Sequence, residues 1–360
     1  MRRIAFVLAA LSLLVCGCNR RDDFNVIACL PVRTTMAYLA ILEKPDAVRV
    51  LFVGNGTAAY REFFERAGLV CAERPGGRYD IVFLAGTDAD WKDADASVAE
   101  NGIVVRAVDV RNMKAGDLWR ILKGAPNESA HLWMPGEEDW LIVARPEPRN
   151  VRAEAMMDVF LREACFADLT AAKCDTLTRF FASYVGTLAE ILPAFNDNYA
   201  AVVKPGDFVS RAIPPTDWID WTGVDEAVLR TIRAEMRSFQ NVRRTVLEGN
   251  LLAESRKADE AVEAWARAAK RNPDDPFLLE RVEKLKTNAQ AFIKVNNFPM
   301  AMKCYETIVV IYPDDAAAVF NLGLCLKKMG RMELADEVLT RAREIRARMA
   351  RESLPSDGEK

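Results

Sequence analysis

One pattern of small and bulky residues returns along the C-terminal third of this chain. It reads Ala289, Ala301, Tyr305, Ile308 and Pro313, and 34 residues after Ala289 it begins again as Gly323, Ala335, Leu339 and Ala342, without the proline. An earlier copy is Gly249, Ala261, Trp265, Ala268 and Pro273. From Thr222 onward the apolar residues follow a helical period, so the recurrence is one of helix pairs. A residue of little bulk lets the first helix of a pair approach the second. Alanine and an aromatic or branched residue seal the contact, and proline stops the second helix. Such a pair cannot bury its apolar face alone, so neighbours must stack into a continuous core. Gly249 and Ala289 are 40 residues apart, six more than the repeat. The extra residues follow Pro273 and read as a longer first helix built on Phe277 to Lys286.

These positions resemble the tetratricopeptide repeat. The resemblance implies three repeats in an all-α solenoid over 222–346, presenting a groove for a peptide or partner helix. Asn250, Asn288, Lys294, Asn321 and Lys328 are polar, are not explained by packing, and are expected to line that groove. Thr222-Gly-Val-Asp225 reads as a capping box that starts an additional helix, Val224 to Phe239. Arg341 to Arg351 reads as a charged amphipathic extension of the last helix, and 347–360 as a polar tail.

The segment before the repeats reads as alternating strands and helices. Strands are expected at Val48 to Val53, Leu69 to Glu73, Tyr79 to Leu84 and Ile103 to Val105, the last entered through a turn at Glu100-Asn-Gly102. Gly54-Asn-Gly-Thr57 reads as a tight turn, with helices over Ala58 to Ala67 and Arg111 to Lys123. His131-Leu-Trp133 and Trp140 to Ala144 form a closing hairpin. Two further helices are expected, Arg152 to Glu163 and Thr176 to Leu192. The second carries Phe180, Phe181, Tyr184, Leu188 and Ile191 as a core stripe. Pro214 and Pro215 mark a linker, where Trp218 and Trp221 are expected to wedge the domains together.

Val48-Arg-Val-Leu-Phe-Val-Gly-Asn-Gly-Thr57, Tyr79 to Leu84, Asn101-Gly-Ile-Val-Val105 and Leu132-Trp…Asp139-Trp-Leu-Ile-Val143 resemble the spermidine synthase-like family, as does Phe195-Asn-Asp-Asn-Tyr199 more faintly. The likeness covers about residues 35 to 215, and 46–215 is taken as the domain. It implies a Rossmann-like α/β fold of the methyltransferase type, seven-stranded in the full-size family. It also implies that Gly54, Gly56 and Glu73 are what remains of a nucleotide site, with backbone near the nucleotide and a carboxylate on the ribose.

The departures from the family bear on chemistry. Only five residues separate Glu73 from Tyr79, where the family has a helix and a strand with a second acidic residue for the adenine. The family's general base falls at Ala85, which cannot accept a proton. Its second acid is retained as Asp88. The domain therefore reads as a reduced pseudoenzyme without cofactor. The alternative is an active aminopropyl- or methyl-transferase that uses an adenosylmethionine-type donor at Gly54, Gly56, Glu73 and Asp88. Asp88, Asp90, Asp93 and Asp95 read as a solvated loop of capping carboxylates, and no metal site is expected.

The N-terminus assigns a compartment. Met1-Arg-Arg3 and the apolar run Ile4 to Val15 form a secretory signal too short to span a bilayer. Val15-Cys-Gly-Cys18 resembles the lipobox of bacterial lipoproteins, which implies cleavage after residue 17 and acylation of Cys18. Residues 18–45 then form a tether and entry segment, and Asn19 favours the periplasmic face of the outer membrane. The location permits disulfides among Cys29, Cys71, Cys165, Cys174, Cys304 and Cys325, and the sequence leaves their pairing open. Cys304 and Cys325 read as buried thiols. A net charge of −3 with no long basic run argues against nucleic acid as a partner. The whole reads as a lipid-anchored envelope protein that binds another protein through its repeats.

Overall fold

A computed structural model of the chain describes residues 30–86, 88–145, 150–174, 176–195, 203 and 218–352. The signal segment, Cys18, Cys29, residues 196–199, the linker prolines and the tail from Ser353 lie outside these. The chain divides after Arg244 into two compact units. No helix among the described residues is long and apolar enough to cross a membrane.

The N-terminal unit opens with α1 (Leu30–Glu43), β1 (Arg49–Val53), α2 (Ala58–Arg66), β2 (Val70–Ala72) and β3 (Tyr79–Ala85). It continues with α3 (Lys92–Asp95), β4 (Val98–Asp109), α4 (Ala115–Lys123), β5 (His131–Trp133) and β6 (Asp139–Ala144). After these come β7 (Val151–Arg152), α5 (Ala153–Phe160), α6 (Glu163–Ala171), α7 (Leu177–Phe181), β8 (Tyr184–Thr187), α8 (Leu188–Ile191) and β9 (Ile219–Asp220). Seven strands form one mixed sheet in the order β2-β1-β3-β4-β6-β5-β8. The first four are parallel, and β6, β5 and β8 each run antiparallel to the strand before them in that order. β7 and β9 pair separately.

Near-continuous apolar strands suit a sheet covered on both faces. Val50, Phe52, Ile81, Phe83, Ile103 and Val105 point to one core with helices α1, α2, α5 and α6. There the rings of Phe52, Phe64, Phe83 and Tyr60 meet at centroid distances of 4.9 to 5.9 Å. The alternate residues Leu51, Val82, Leu84 and Val104 are buried as well. On that side Trp91 Nε1 donates to Ile121 O of α4 at 2.7 Å, and the Arg106 guanidinium lies 5.7 Å from the Trp91 ring. Helix α1 is apolar on every face from Met36 to Leu42 and buries these seven consecutive residues, as a helical segment enclosed by its neighbours must.

Several expectations need correction. The Thr176 to Leu192 helix is interrupted by β8, because Tyr184, Gly186 and Thr187 pair with β5 instead of continuing a helical turn. Helix α8 restarts there through Glu190, whose carboxylate accepts from Thr187 N and Oγ1 at 2.8 and 2.9 Å. The Arg152 to Glu163 helix divides into α5 and α6 at an extended Arg162. Helix α4 begins at Ala115, after Asn112 adopts a φ of 57°. Glu100-Asn-Gly102 is not a turn but part of β4, where the register jumps from Tyr79–Val98 to Ile81–Ile103. Trp218 and Trp221 pack inside the N-terminal unit, against His131, Trp133 and Tyr184, and against Phe181.

The C-terminal unit is all helical. Helix α9 (Glu226–Glu254) contains the division between the units. It is followed by α10 (Ala258–Arg271), α11 (Pro276–Lys294), α12 (Phe298–Ile311), α13 (Ala316–Lys328) and α14 (Met332–Glu352). The expected break after Phe239 is absent, and α9 runs 29 residues without interruption. Its start is capped by Asp225, which accepts from Ala227 N at 2.8 Å, while Thr222 bonds Asp220 instead. Ala261, Ala301 and Ala335 are wholly buried. A Cβ on Gly249 would lie 2.5 Å from Trp265 Nε1, and one on Gly323 would lie 2.8 Å from Leu339 Cδ2. Asp275 and Asp315 cap α11 and α13.

A Cβ on Gly102 would meet the backbone oxygens of Tyr79 and Asp80 at 2.8 and 3.0 Å. Neither can move without breaking the sheet. Gly102→Ala should therefore cost about 1–3 kcal/mol, and Gly323→Ala less, since Leu339 can change rotamer. Urea unfolding midpoints at unchanged slope measure both.

Candidate functional site

Ligands of open α/β sheets sit beyond the carboxyl ends of the strands, where the strand order reverses. Here that point lies between β1 and β3. The turn after β1 begins at Gly54, whose φ of 98° favours glycine. The loop after β3 begins at Gly86, with a φ of 106°. The two loops bond to each other. Gly56 N donates to Ala85 O at 3.1 Å, and Asn55 N donates to Asp88 Oδ1 at 3.0 Å. Thr57 Oγ1 closes the turn by donating to Gly54 O at 3.0 Å. A Cβ on Gly54 would lie 2.2 Å from Ala85 O, so backbone meets backbone.

The residues expected at the site are thus brought together but engaged with one another. Ala85 is buried at the end of β3. Asp88 holds the neighbouring loop. Glu73 is exposed and pairs with Arg61 Nη1 at 2.5 Å. The chain passes from Ala72 to Tyr79 with no further element, and β2 is the edge of the sheet. Asp80 accepts from Val48 N and Arg49 N, both at 2.9 Å, and so fastens the start of β1. In the aspartate loop Asp93 accepts from Asp90 N at 2.8 Å and Asp90 from Lys92 N at 3.2 Å, around the short α3. Among the described residues no group of three or more His, Cys, Asp and Glu side chains is placed to hold a metal ion.

A second cluster of charged groups was missed in the sequence. Glu43 ends α1 with a fully buried side chain. Its carboxylate is 2.9 Å from His131 Nδ1, accepts from Trp133 Nε1 at 2.8 Å, and pairs with Arg145 Nη2. Arg145 Nη2 also donates to Glu43 O at 2.8 Å. Trp218 covers the group, with its ring centroid 4.5 Å from that of His131 and 5.5 Å from the Arg145 guanidinium. Burial pushes the Glu43 carboxyl up, but the charges of His131 and Arg145 and the bonds from His131 and Trp133 outweigh it. The net direction is below the usual carboxylate value. The signal for this cluster was present in the sequence. Glu43 and Arg145 each close an unbroken apolar run, Tyr38 to Leu42 being one and Trp140 to Ala144 the other.

Among the described residues, four cysteines have thiols held away from the reactive thiolate. Burial pushes the thiol of Cys71 up to about 11 and raises those of Cys165, Cys304 and Cys325. Cys325 is buried and Cys304 half-buried, while Thr35 Oγ1 donates to Cys174 Sγ at 3.5 Å.

In the helical unit, Asn250 is accounted for by packing after all. It is buried and its Oδ1 accepts from Trp265 Nε1 at 3.1 Å and Arg281 Nε at 2.8 Å. Asn288 is exposed and Asn321 half-buried, on α11 and α13. Lys294 and Lys328 are exposed at the final positions of those helices.

Removing the Glu43 charge leaves Arg145 buried without its partner. Glu43→Gln should therefore cost about 3–5 kcal/mol, against about 0.5–1.5 for Asp88→Ala. Because the folded pKa of Glu43 is depressed, its stabilisation is complete above the ordinary carboxylate value of about 4.3 and is lost as pH falls below it. Denaturant titrations between pH 3 and pH 7 should show a flatter acid limb for Glu43→Gln than for wild type. No protein-family model matches the chain, and no curated protein matches it.

Proposed function

We propose that this chain is a lipid-anchored envelope protein that binds a protein partner through tetratricopeptide-like repeats, with a non-catalytic α/β unit of the spermidine synthase-like type as its scaffold. The observation that carries the reading is the mutual closure of the β1 and β3 loops. A nucleotide cradle needs backbone N–H groups aimed at the ligand. Those of Asn55 and Gly56 are spent on Asp88 and Ala85. Asp88, the retained acid, serves as a loop fastener, and Ala85 supplies only a carbonyl. These contacts argue against an adenosylmethionine-type donor, and no reaction step is assigned.

The mixed sheet with its reversed β5–β6 hairpin and the direct crossing from β2 to β3 support a reduced methyltransferase-type fold. The close approaches at Gly249 and Gly323, with buried alanines opposite, support the repeat reading. Export follows from the basic and apolar start, anchoring from Cys18, and the periplasmic face of the outer membrane from Asn19.

Calorimetry with adenosylmethionine and with its thioether product should give no binding heat at micromolar protein. Binding at that strength would return the transferase reading with Gly54, Gly56, Glu73 and Asp88 as its site. Crosslinking in whole cells should recover a protein partner with the wild type and lose it with Asn288→Ala/Asn321→Ala, at unchanged helical circular dichroism. Equal capture by this variant counts against a groove on α11 and α13.

A further inference from the structure

Large apolar side chains exposed among the described residues number twelve, and five of them fall on two turns of the helical unit. Ile293, Val295 and Met300 surround the turn from α11 to α12, and Met332 and Leu334 follow the turn from α13 to α14. Val295 is 70% exposed, Met332 49% and Leu334 50%. Short connections make consecutive helices antiparallel, so the start of α12 and the end of α13 lie at one end of the stack.

The same two turns carry Lys294, Lys327, Lys328 and Arg331, all exposed. Among the described residues no carboxylate is within 4.0 Å of any of these cations. Glu333 is the one acidic residue in 293–300 and 327–334. The turns at the opposite end carry Asp274, Asp275, Asp314 and Asp315. Two of the three turns at one end of the helical unit are therefore apolar with a cationic rim, while the third, from α9 to α10, is of mixed charge, with Glu254, Asp259 and Glu260 beside Arg256 and Lys257.

Lysine is depleted in interfaces between proteins, where the buried centre is apolar and the charge must be shed. Apolar side chains ringed by lysine and arginine fit a membrane surface. There the apolar groups reach the acyl boundary while the cations stay with phosphate. We propose that these two turns rest on an anionic lipid bilayer, which reassigns Lys294 and Lys328 from the partner groove to the lipid contact and keeps that contact separate from Cys18 and from Asn288 and Asn321.

The test is deuterium uptake by the full chain on vesicles, read peptide by peptide. On vesicles containing phosphatidylglycerol, early uptake over 293–300 and 327–334 should fall at least twofold relative to phosphatidylcholine vesicles. Uptake around 274–275 and 314–315 should stay the same. The difference should vanish in Lys327→Glu/Lys328→Glu/Arg331→Glu and in Val295→Ser/Met332→Ser, all substitutions of exposed side chains. It should persist in Asn288→Ala/Asn321→Ala. Equal uptake on both kinds of vesicle overturns the proposal. So does protection that grows with protein concentration in the absence of lipid, which identifies an interface between copies of the chain.

Discussion

A carboxylate removed from water must be met by donors, and Glu43 is met by three side chains from two separate parts of the chain. His131 and Trp133 come from β5, and Arg145 from the residue after β6. Between Met36 and Leu42 helix α1 is apolar but for the Tyr38 hydroxyl, which donates to Asp168 at 2.6 Å, and apolar contact alone would tolerate a shift along its axis. The charge fixes where it ends. Buried ion pairs add little net stability over a hydrophobic substitute of equal shape, but they penalise misplacement heavily. Arg145 binds both the Glu43 carboxylate and its carbonyl, so helix end and side chain are held by one guanidinium. Trp218 then stacks on His131, which brings the segment leading to β9 and α9 to the same point. The helix entering the sheet and the strand leaving it are registered against one charge.

That rigidity bears on the crevice between β1 and β3. A ligand-binding loop keeps its amides unspent, at the cost of local stability. The loops here have taken the other course. Gly54 and Gly86 allow the backbones to meet, and the contact leaves no room even for a Cβ on Gly54. A carboxylate at position 85 would leave the Ala85 carbonyl contact intact, since that bond is made by backbone. Closure of the loops therefore does not depend on which side chain stands at position 85.

Much of the sheet was legible because its strands are buried on both faces and read as continuous apolar runs bounded by glycine. β1, β3 and the β5–β6 hairpin lie where those runs do. β8 was hidden because Phe180, Phe181, Tyr184, Leu188 and Ile191 match a helical period by coincidence of two short helices flanking a strand. Periodicity cannot register a four-residue strand whose pairing partners lie 51 to 56 residues earlier. Asn250 misled for a related reason. A polar residue one position after a small one looks spare in sequence, yet Trp265 needs an acceptor for its indole N–H, and the acceptor must come from the facing helix. The repeat spacing predicts that Trp265 and Gly249 meet, and so places Asn250 within reach of the indole.

The short crossing from Ala72 to Tyr79 leaves β2 as an open edge, and an open edge invites pairing with another chain. Three features limit that hazard. β2 is three residues long, too short to template a ladder. Arg61 reaches the residue just beyond it and pairs with Glu73, placing charge beside the strand. The chain then turns back through Gly76 and Gly77, where the Arg49 guanidinium lies over the Tyr79 ring at 4.6 Å. At the far side β8 is only four residues and is followed at once by a capped helix. A sheet that ends on both sides in short, charged or capped strands can do without a further βα unit.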